Sequence, residues 1–411
     1  MVFYPLGPIS NRFKLPKLRV SWKEYGKRLE TLREHMREQK MDAYLITNGT
    51  SIFYFSHFYH MVTERPAALL VEPDGKPTFM GPLLEADHLR HQTPLAGECL
   101  TYLDYPGETH PMELFAGWIK DRGLGKARIG TDNPSGAGGT MGYAGTPLKD
   151  LLKEAELVKD DQYMWDIRVL KSDEEVELIR ESCKWGNLAH QYLQEYTRPG
   201  LWDVDVSMMA TLDASTTMKK ALGPEYETLK GRPCGAGFRG QVGWKSAMPH
   251  SISIGKVIEA GDILVTGAGA DVGGYGSELE RTMIVGKPTA KMEKLFKVMC
   301  KAQEAAADAL KPGNTCADVD KAANKVIRDA GYWDLVRHHS GHGVGLLGHE
   351  PPYLDQGNPQ PLEPGMVVSI EPGIYELGYA GFRHSDTLLV TGDGCEWLTY
   401  YPRDMESLTI L

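Results

Sequence analysis

The sequence lacks the features of secreted, membrane-spanning and zinc-finger proteins. Its six cysteines include no Cys-x-x-Cys pair and stand at Cys99, Cys183, Cys234, Cys300, Cys316 and Cys395. Cysteines scattered in this way fit reduced thiols better than a disulfide framework or structural zinc sites. No basic stretch followed by an apolar core stands near the N-terminus, and no uncharged apolar run approaches the ~20 residues of a membrane span. We therefore expect a cytoplasmic protein that does not enter a membrane.

The chain also lacks an excess of basic residues. Its 45 lysines and arginines are outnumbered by 55 aspartates and glutamates, which gives a formal net charge of −10. Proteins that bind nucleic acid present basic surfaces, so this balance argues against a nucleic-acid partner. A mild acidic excess mostly serves solubility and identifies no partner. With 411 residues, of which 42% are hydrophobic, the chain has the size and composition of two globular domains.

Two helix-start signals divide the chain. Ser21 with Glu24, and Ser172 with Glu175, each form the Ser-x-x-Glu pattern of a capping box. Short strand-like segments alternate with helical ones between these two signals, as in α/β domains. Because the second signal opens a long amphipathic segment, we place the domain boundary just before it, between residues 164 and 165.

The two predicted domains differ in pattern. Residues 1–164 read as an α/β domain that contains a hairpin around Asp74-Gly75. Residues 165–411 read as α+β, with strands rich in isoleucine, valine and threonine. Two helices are predicted there at residues 292–310 and 317–330, and each is followed by a glycine within three residues.

Four sequence runs follow one another in a distinctive order in the C-terminal part. They are GDILVTGAGADVGGYGSELERT (261–282), HHSGHGVGLLGHEPPYL (338–354), EPGMVVSIEPGIYE (363–376) and GFRHSDTLLVT (381–391). Their order and spacing resemble those of the pita-bread hydrolases, the family of aminopeptidase P, prolidase, methionine aminopeptidase and creatinase. The resemblance implies an α+β architecture, with a pita-bread catalytic domain after an α/β N-terminal domain of the creatinase/prolidase type.

The metal-ligand positions of that family are only partly kept. Its metallopeptidases hold two metal ions with Asp, Asp, His, Glu and Glu, and the matching positions here are Gly267, Glu278, His342, Glu371 and Ser385. Gly267 offers no side chain and Ser385 offers only a neutral hydroxyl, so two ligands are missing. We therefore predict no two-metal centre, no metal ligands and no cofactor. A single ion on Glu278, His342 and Glu371 remains an open alternative.

Creatinase, a member of the family without metal, suggests a function for such a site. Glu280 in LERT and Glu371 in SIEPG match the two glutamates with which creatinase holds a guanidinium group, and His250 in MPHS matches its catalytic histidine. Two facing carboxylates repel each other, and a bound cation relieves that repulsion. A histidine that titrates near neutrality can pass a proton between water and a leaving nitrogen. The alternative for Glu280 is a structural ion pair with Arg281.

Our main hypothesis is therefore a metal-independent hydrolase of the creatinase type, with His250, Glu280 and Glu371 as catalytic residues. It would cleave a C–N bond in a small cationic or zwitterionic, guanidino- or amidino-like compound. The first alternative is an Xaa-Pro dipeptidase or aminopeptidase with an altered metal site. Further alternatives are a lyase and a non-catalytic binder on the same fold.

The resemblance also implies a set of substrate-binding residues. They are Arg65, Glu278, His338, His342, His349 and Arg383. Arg65 matches an arginine that creatinase contributes across its dimer, so a homodimer is implied; the alternative for Arg65 is a surface ion pair with Glu64. The run HEPPYLDQGNPQP lacks the second carboxylate-binding arginine of creatinase. His349 and Arg383 instead resemble residues that bind peptides in aminopeptidase P and prolidase.

Overall fold

In the computed structural model, residues 16–137 and 142–411 are described. Residues 1–15 of the predicted N-terminal domain, and residues 138–141, lie outside the described residues. Two compact units separate between residues 168 and 169; one comprises residues 21–168 and the other comprises residues 169–411 together with residues 16–20. The sequence predicted a boundary between residues 164 and 165.

The N-terminal unit alternates helices and strands. In chain order these are α1 (Trp22–Glu38), β1 (Ala43–Ile46), α2 (Gly49–Ser56), β2 (Ala68–Val71), β3 (Thr78–Pro82), α3 (Ala86–Gln92), β4 (Cys99–Tyr102), α4 (Pro111–Asp121), β5 (Arg128–Thr131), α5 (Leu148–Leu151), β6 (Glu156–Lys159) and α6 (Asp161–Val169). The strands form a mixed sheet in the order β4-β3-β2-β1-β5-β6. The predicted hairpin is confirmed as the antiparallel pair β2–β3.

Local chemistry explains where α1 begins and how it is buried. The Ser21 side chain accepts a hydrogen bond from the backbone N–H of Glu24, which caps the first turn. The apolar stripe of the helix is buried, as a period of 3.6 residues requires; it comprises Tyr25, Leu29, Leu32 and Met36. The predicted helix start at Ser21 is therefore confirmed.

The C-terminal unit pairs long helices with antiparallel strands. In chain order these are α7 (Asp173–Tyr196), α8 (Asp203–Leu222), β7 (Cys234–Gly237), β8 (Ile263–Val265), β9 (Gly267–Val272), β10 (Tyr275–Gly276), β11 (Leu279–Glu280), β12 (Thr282–Val285), α9 (Ala290–Ala309), α10 (Cys316–Asp329), β13 (Gly341–Gly343), β14 (Glu350–Leu354), β15 (Val367–Ile370), β16 (Gly373–Glu376), β17 (Ala380–Arg383), β18 (Ser385–Val390), β19 (Cys395–Trp397) and β20 (Thr409–Ile410). The two predicted helices appear as α9 and α10, and the second capping box, Ser172 with Glu175, begins α7.

The largest sheet of this unit follows the order β10-β9-β11-β18-β15-β13-β14, with β7 paired to β9 and β19 paired to β18. Helix α7 packs against β9, and α9 packs against α10. Because β11, β18, β15 and β13 are successive neighbours, residues more than a hundred positions apart in sequence meet on this sheet. No helix within the described residues combines the length and the apolar character needed to cross a membrane.

Candidate functional site

The candidate site lies where β11, β18, β15 and β13 run side by side. Glu280 in β11 stands opposite Ser385, the first residue of β18. Glu371 directly follows β15, and His342 is the central residue of β13. Strand order alone therefore brings His342, Glu371 and Ser385, which stand at three of the family's ligand positions, next to the strand of Glu280.

His342 lies beside two carboxylates of the site. Its side chain is fully buried, and Nε2 lies 3.3 Å from Glu371 Oε1 and 3.7 Å from Glu278 Oε2. Nδ1 donates a hydrogen bond of 3.1 Å to the carbonyl of Gly343, which fixes the ring. Within the described part of the chain, Nε2 has no hydrogen-bond partner. A buried ring nitrogen aimed between two carboxylates, with the other nitrogen bonded to a carbonyl, is an arrangement typical of a metal-ligating histidine.

The electrostatics of this cluster follow from burial and close charges. Burial raises the pKa of the Glu278 carboxyl, and the negative charge of Glu371 raises it further. Burial lowers the pKa of His342, but the adjacent carboxylates of Glu371 and Glu278 outweigh burial, so the pKa is raised. Burial raises the pKa of Glu371, but His342 and Arg383 outweigh burial, so the pKa is lowered. The cluster therefore favours a positive centre between the two carboxylates.

Ser385 serves Glu278 in this structure. Its hydroxyl donates a hydrogen bond of 2.6 Å to Glu278 Oε1. The Glu278 backbone N–H is bonded to Thr387 Oγ1 at 3.0 Å, so both the main chain and the side chain of Glu278 are fixed by β18. Position 385, which carries a metal ligand in the family, thus carries a hydroxyl that orients the Glu278 carboxylate.

Glu280 does not present a free carboxylate to a substrate. Arg383 donates to both of its oxygens, with Nη2 at 2.8 Å from Oε1 and Nε bonded to Oε2, and Arg239 Nη2 also donates to Oε1. Both Arg383 and Glu280 are buried. The predicted cation grip of Glu280 with Glu371 is therefore not supported, because two guanidinium groups of the protein already hold Glu280. The predicted alternative partner, Arg281, pairs with Asp386 instead.

Gly267 lies under an arginine. A Cβ atom placed on Gly267 would stand 3.3 Å from Nε and 3.6 Å from Cζ of Arg239. Arg239 comes two residues after β7, whose register sets Gly237 against Gly267. A side chain at position 267 would therefore start next to the guanidinium, which would have to shift to admit it.

The remaining predicted residues lie at different distances from this cluster. His349 stacks on His342 with ring centroids 3.7 Å apart, and His338 Nε2 contacts the Tyr375 hydroxyl at 2.8 Å. His250 is exposed in a loop. Burial and the charge of His342 lower the pKa of His349, and the nearby charge of His250 lowers that pKa further. Arg65, in the other unit, forms ion pairs with Glu64 and Asp104, so the alternative for Arg65, a surface ion pair, is the geometry observed.

The residues present fit one metal ion better than two. Ligand atoms of Glu278, His342 and His349 lie within 4.8 Å of one another, and so do those of Glu278, Glu280 and Glu371. The orphaned Nε2 of His342 points into the space that an ion shared with Glu278 and Glu371 would take. Two of the family's ligands for a second ion are missing here: Ser385 donates to Glu278, and Gly267 has no side chain and lies beside the Arg239 guanidinium.

Two further residues of the site escaped the sequence reasoning. Arg239 and Tyr375 both contact predicted site residues. The signal for Arg239 was the sequence Gly-Ala-Gly, which occurs at residues 235–237 in β7 and at residues 267–269 in β9. Alternating glycines leave one face of two paired strands without side chains, and such a face marks the close approach of another group. Tyr375 carried no comparable signal.

Comparison with known proteins bears on the function of this site. Residues 177–392 match the metallopeptidase family M24, and residues 28–170 match the creatinase/prolidase N-terminal domain. An Xaa-Pro dipeptidase of Pyrococcus furiosus is 29% identical over 379 residues, which cover 92% of this chain and 99% of that protein. An Xaa-Pro dipeptidase of Lactobacillus delbrueckii subsp. lactis is 28% identical over 384 residues, covering 93% and 99%. The solved structure of an Xaa-Pro dipeptidase from Bacillus anthracis superposes with a TM-score of 0.76 at 25% identity, covering 94% of this chain and 100% of that chain.

These matches confirm the predicted relationship and the fold class, a creatinase/prolidase-type N-terminal domain with a pita-bread C-terminal domain. They contradict the main functional hypothesis. The relatives are named Xaa-Pro dipeptidases and the matching family is one of metallopeptidases, so metal-independent hydrolysis of the creatinase type is wrong as the function of this chain. The occupied carboxylate of Glu280 agrees with that correction.

Proposed function

The chain belongs to metallopeptidase family M24, a family of hydrolases that cleave C–N bonds in peptides, and from this premise we propose that it is an Xaa-Pro dipeptidase with an altered metal site. The observation that carries the proposal is the buried Nε2 of His342, which has no hydrogen-bond partner among the described residues and lies between Glu278 and Glu371. The names of the relatives support a dipeptide with proline in the second position as substrate.

Glu278, His342 and Glu371 would hold the ion, which when bound supplies a Lewis acid and an activated water. Two carboxylates and one neutral imidazole suit a single divalent transition metal ion. Ser385 holds Glu278 in place through its hydrogen bond of 2.6 Å, and His349 covers the ring of His342 from the exposed side. Two of the three ligands, Glu278 and His342, are thus held by side chains that are not themselves ligands.

A second group of side chains forms an ordered hydrogen-bond chain beside these ligands. His338 Nδ1 donates to the carbonyl of His339, so Nε2 of a neutral ring accepts from the Tyr375 hydroxyl at 2.8 Å. The Tyr375 oxygen in turn accepts from Arg383 Nη1 at 3.2 Å. Burial lowers the pKa of His338, which keeps the ring neutral. Both ring nitrogens of His338 are thereby occupied and its tautomer is fixed, while Arg383 is held by Glu280 and Tyr375.

The test combines metal analysis with a substrate panel. The purified protein is incubated with Mn²⁺, Co²⁺ or Zn²⁺, and its hydrolysis of Xaa-Pro dipeptides is compared with that of dipeptides without proline. We expect hydrolysis of the Xaa-Pro dipeptides that depends on added metal, and one ion per chain by elemental analysis. Absence of hydrolysis with every metal would overturn the proposal, and so would undiminished hydrolysis in the presence of a strong chelator.

A pair of matched variants assigns the activity to this site. Glu371→Gln keeps the shape of the side chain but removes one ligand charge, so bound metal and hydrolysis should both fall by at least about 10². Glu376→Gln changes a half-exposed glutamate at the end of β16 that pairs with Lys291, and should leave both unchanged. Equal activity of the two variants would show that the metal site lies elsewhere.

A further inference from the structure

Among the residues that the structure describes, Arg239 is the guanidinium that both lies over the bare glycine face of β7 and β9 and contacts the carboxylate network of the site. Its Nη2 donates to Glu280 Oε1 and lies 3.3 Å from Gln241 Oε1. Its Nε is 3.3 Å from the place of a Cβ on Gly267. The side chain stays 51% exposed, although Glu280 is buried. The guanidinium therefore joins a buried anion to an open cavity.

The backbone is shaped to hold Arg239 in this place. Arg239 has φ +50° and Gly240 has φ +74°, so two successive residues adopt the left-handed region. That region is unfavourable for an arginine, and such conformations cluster at functional sites where the surroundings impose them. The loop after His250 packs on this turn: a Cβ on Gly240 would stand 2.5 Å from the carbonyl carbon of Ile252, and Ser251 Oγ donates to the Gly240 carbonyl. The turn after β7 thus directs Arg239 across β9.

The charges of the site are consistent with the loss of one ion. The family's metallopeptidases have carboxylates at the positions of Gly267 and Ser385, so their removal subtracts two negative charges. Loss of one divalent ion subtracts two positive charges, and the two losses cancel. Arg239 then adds a positive charge next to Glu280, which it shares with Arg383. Two guanidinium groups thus share the Glu280 carboxylate, and Arg383 also lies 3.8 Å from Glu371.

The cavity in front of Arg239 is large enough for a dipeptide. It measures about 670 Å³ and extends from Gly235 and Gly237 to Glu278 and Glu280. Nε and Nη1 of Arg239 have no hydrogen-bond partner in the ranges 16–137 and 142–411. Free guanidinium donors at a cavity wall are suited to an oxygen that carries negative charge.

We propose that the Arg239 guanidinium takes the place of the second metal ion, excluding that ion from the space over Gly267 and binding a carbonyl or carboxylate oxygen of the substrate. The proposal rests on the proposed function for the nature of the substrate. The exclusion of the second ion does not depend on it, since that part concerns only the space and charge around Gly267.

The test restores the missing ligands with and without Arg239. Four proteins are equilibrated with Mn²⁺ alone and the bound ions are counted: the parent, Gly267→Asp/Ser385→Glu, the same pair with Arg239→Ala, and the same pair with Arg232→Ala. Arg232 is the matched control, because its guanidinium lies over Gly235 in the same cavity but does not contact Glu280. We expect the chain with Arg239→Ala to bind one Mn²⁺ more than the restored chain that keeps Arg239, and the Arg232→Ala control to bind no more.

Two results would overturn the exclusion of the second ion. One is an additional Mn²⁺ in the restored chain that still contains Arg239, and the other is an equal count with and without Arg239→Ala. If the double restoration does not give a folded protein by circular dichroism, the same comparison is made on Gly267→Asp alone, with and without Arg239→Ala. A parent chain that binds no Mn²⁺ would refute the proposed one-ion centre, while the difference between the restored chains would still decide the role of Arg239.

The substrate-binding part has a separate readout. With metal at saturation, Arg239→Ala should lower kcat for an Xaa-Pro dipeptide by about 10²-fold if the guanidinium binds an oxygen whose charge grows during hydrolysis. Glu376→Gln, which lies outside this cavity, should stay within about twofold of the parent. Equal kcat values for the parent and Arg239→Ala would refute this role and leave the ion count to decide the exclusion.

Discussion

Two arginine–carboxylate networks lie at the junction of β11 and β18, and they differ in how completely they are satisfied. Arg281 and Asp386 are fully buried and form a bidentate pair at 2.8 and 3.0 Å. Thr399 and Gln303 complete the hydrogen bonds of Asp386, and four backbone carbonyls accept from Arg281. Glu280, the preceding residue, is shared by Arg383 and the half-exposed Arg239. The first network is closed, whereas the second is open to solvent through the half-exposed Arg239.

The difference shows that neighbouring residues of one sheet can serve separate purposes, one network stabilising the fold and the other contacting the site. Successive residues of a strand point to opposite faces, so Glu280 and Arg281 serve different sides. A closed network in which every donor and acceptor is paired fixes the packing of the two strands. An open network leaves donors for a ligand. We therefore expect the energetic cost of substitution to fall from the closed network to the open one.

The largest effect is expected from Asp386→Asn. The substitution keeps the shape of the side chain but leaves the buried charge of Arg281 without a counter-charge. The free energy of unfolding should fall by about 3–5 kcal/mol, measured by urea denaturation. Asp393→Asn, at an exposed turn after β18, should change it by less than about 0.5 kcal/mol. A loss below about 1 kcal/mol for Asp386→Asn would mean that the closed network does not carry the stability assigned to it.

An intermediate effect is expected from Arg383→Met. Glu280 then loses two charge-assisted hydrogen bonds but keeps its contact with Arg239, and the methionine still fills much of the buried space. The expected loss in unfolding free energy is about 1.5–3 kcal/mol in the same assay. A loss as large as that of Asp386→Asn would show that the two networks do not differ in energetic weight.

The smallest effect is expected from Arg239→Met. A half-exposed ion pair contributes little to stability, so the unfolding free energy should change by less than about 1 kcal/mol. The double variant with Arg383→Met should lose more than the sum of the two single changes, because Glu280 then has no guanidinium left. Strict additivity in this double-mutant cycle would show that the two arginines do not share Glu280 in solution.

The sequence was sufficient for the fold and for part of the site. The order of the four runs allowed Glu278, His342 and Glu371 to be assigned to one site, because strand order in a known fold determines which residues become neighbours. It did not reveal that Glu280 is occupied, since Arg383 was expected to bind substrate. Nor did it reveal Arg239, whose position depends on a left-handed turn and on the bare faces of two strands. The repeated Gly-Ala-Gly sequence marked those bare faces but not the residue that covers them, because a contact made by a loop across a sheet has no period in the sequence.

The position of Arg239 over Gly267 determines the order in which substitutions could restore a two-ion centre. On the proposed role of Arg239, an aspartate introduced at position 267 would pair with the guanidinium and would add a metal ligand only where Arg239 is absent. Arg239 must therefore be lost before an aspartate at position 267 can contribute to metal binding. Neither loss of Arg239 alone nor an aspartate at position 267 alone would then bring the chain closer to binding two ions. This dependence of each substitution on the other would hinder a return to a two-ion centre.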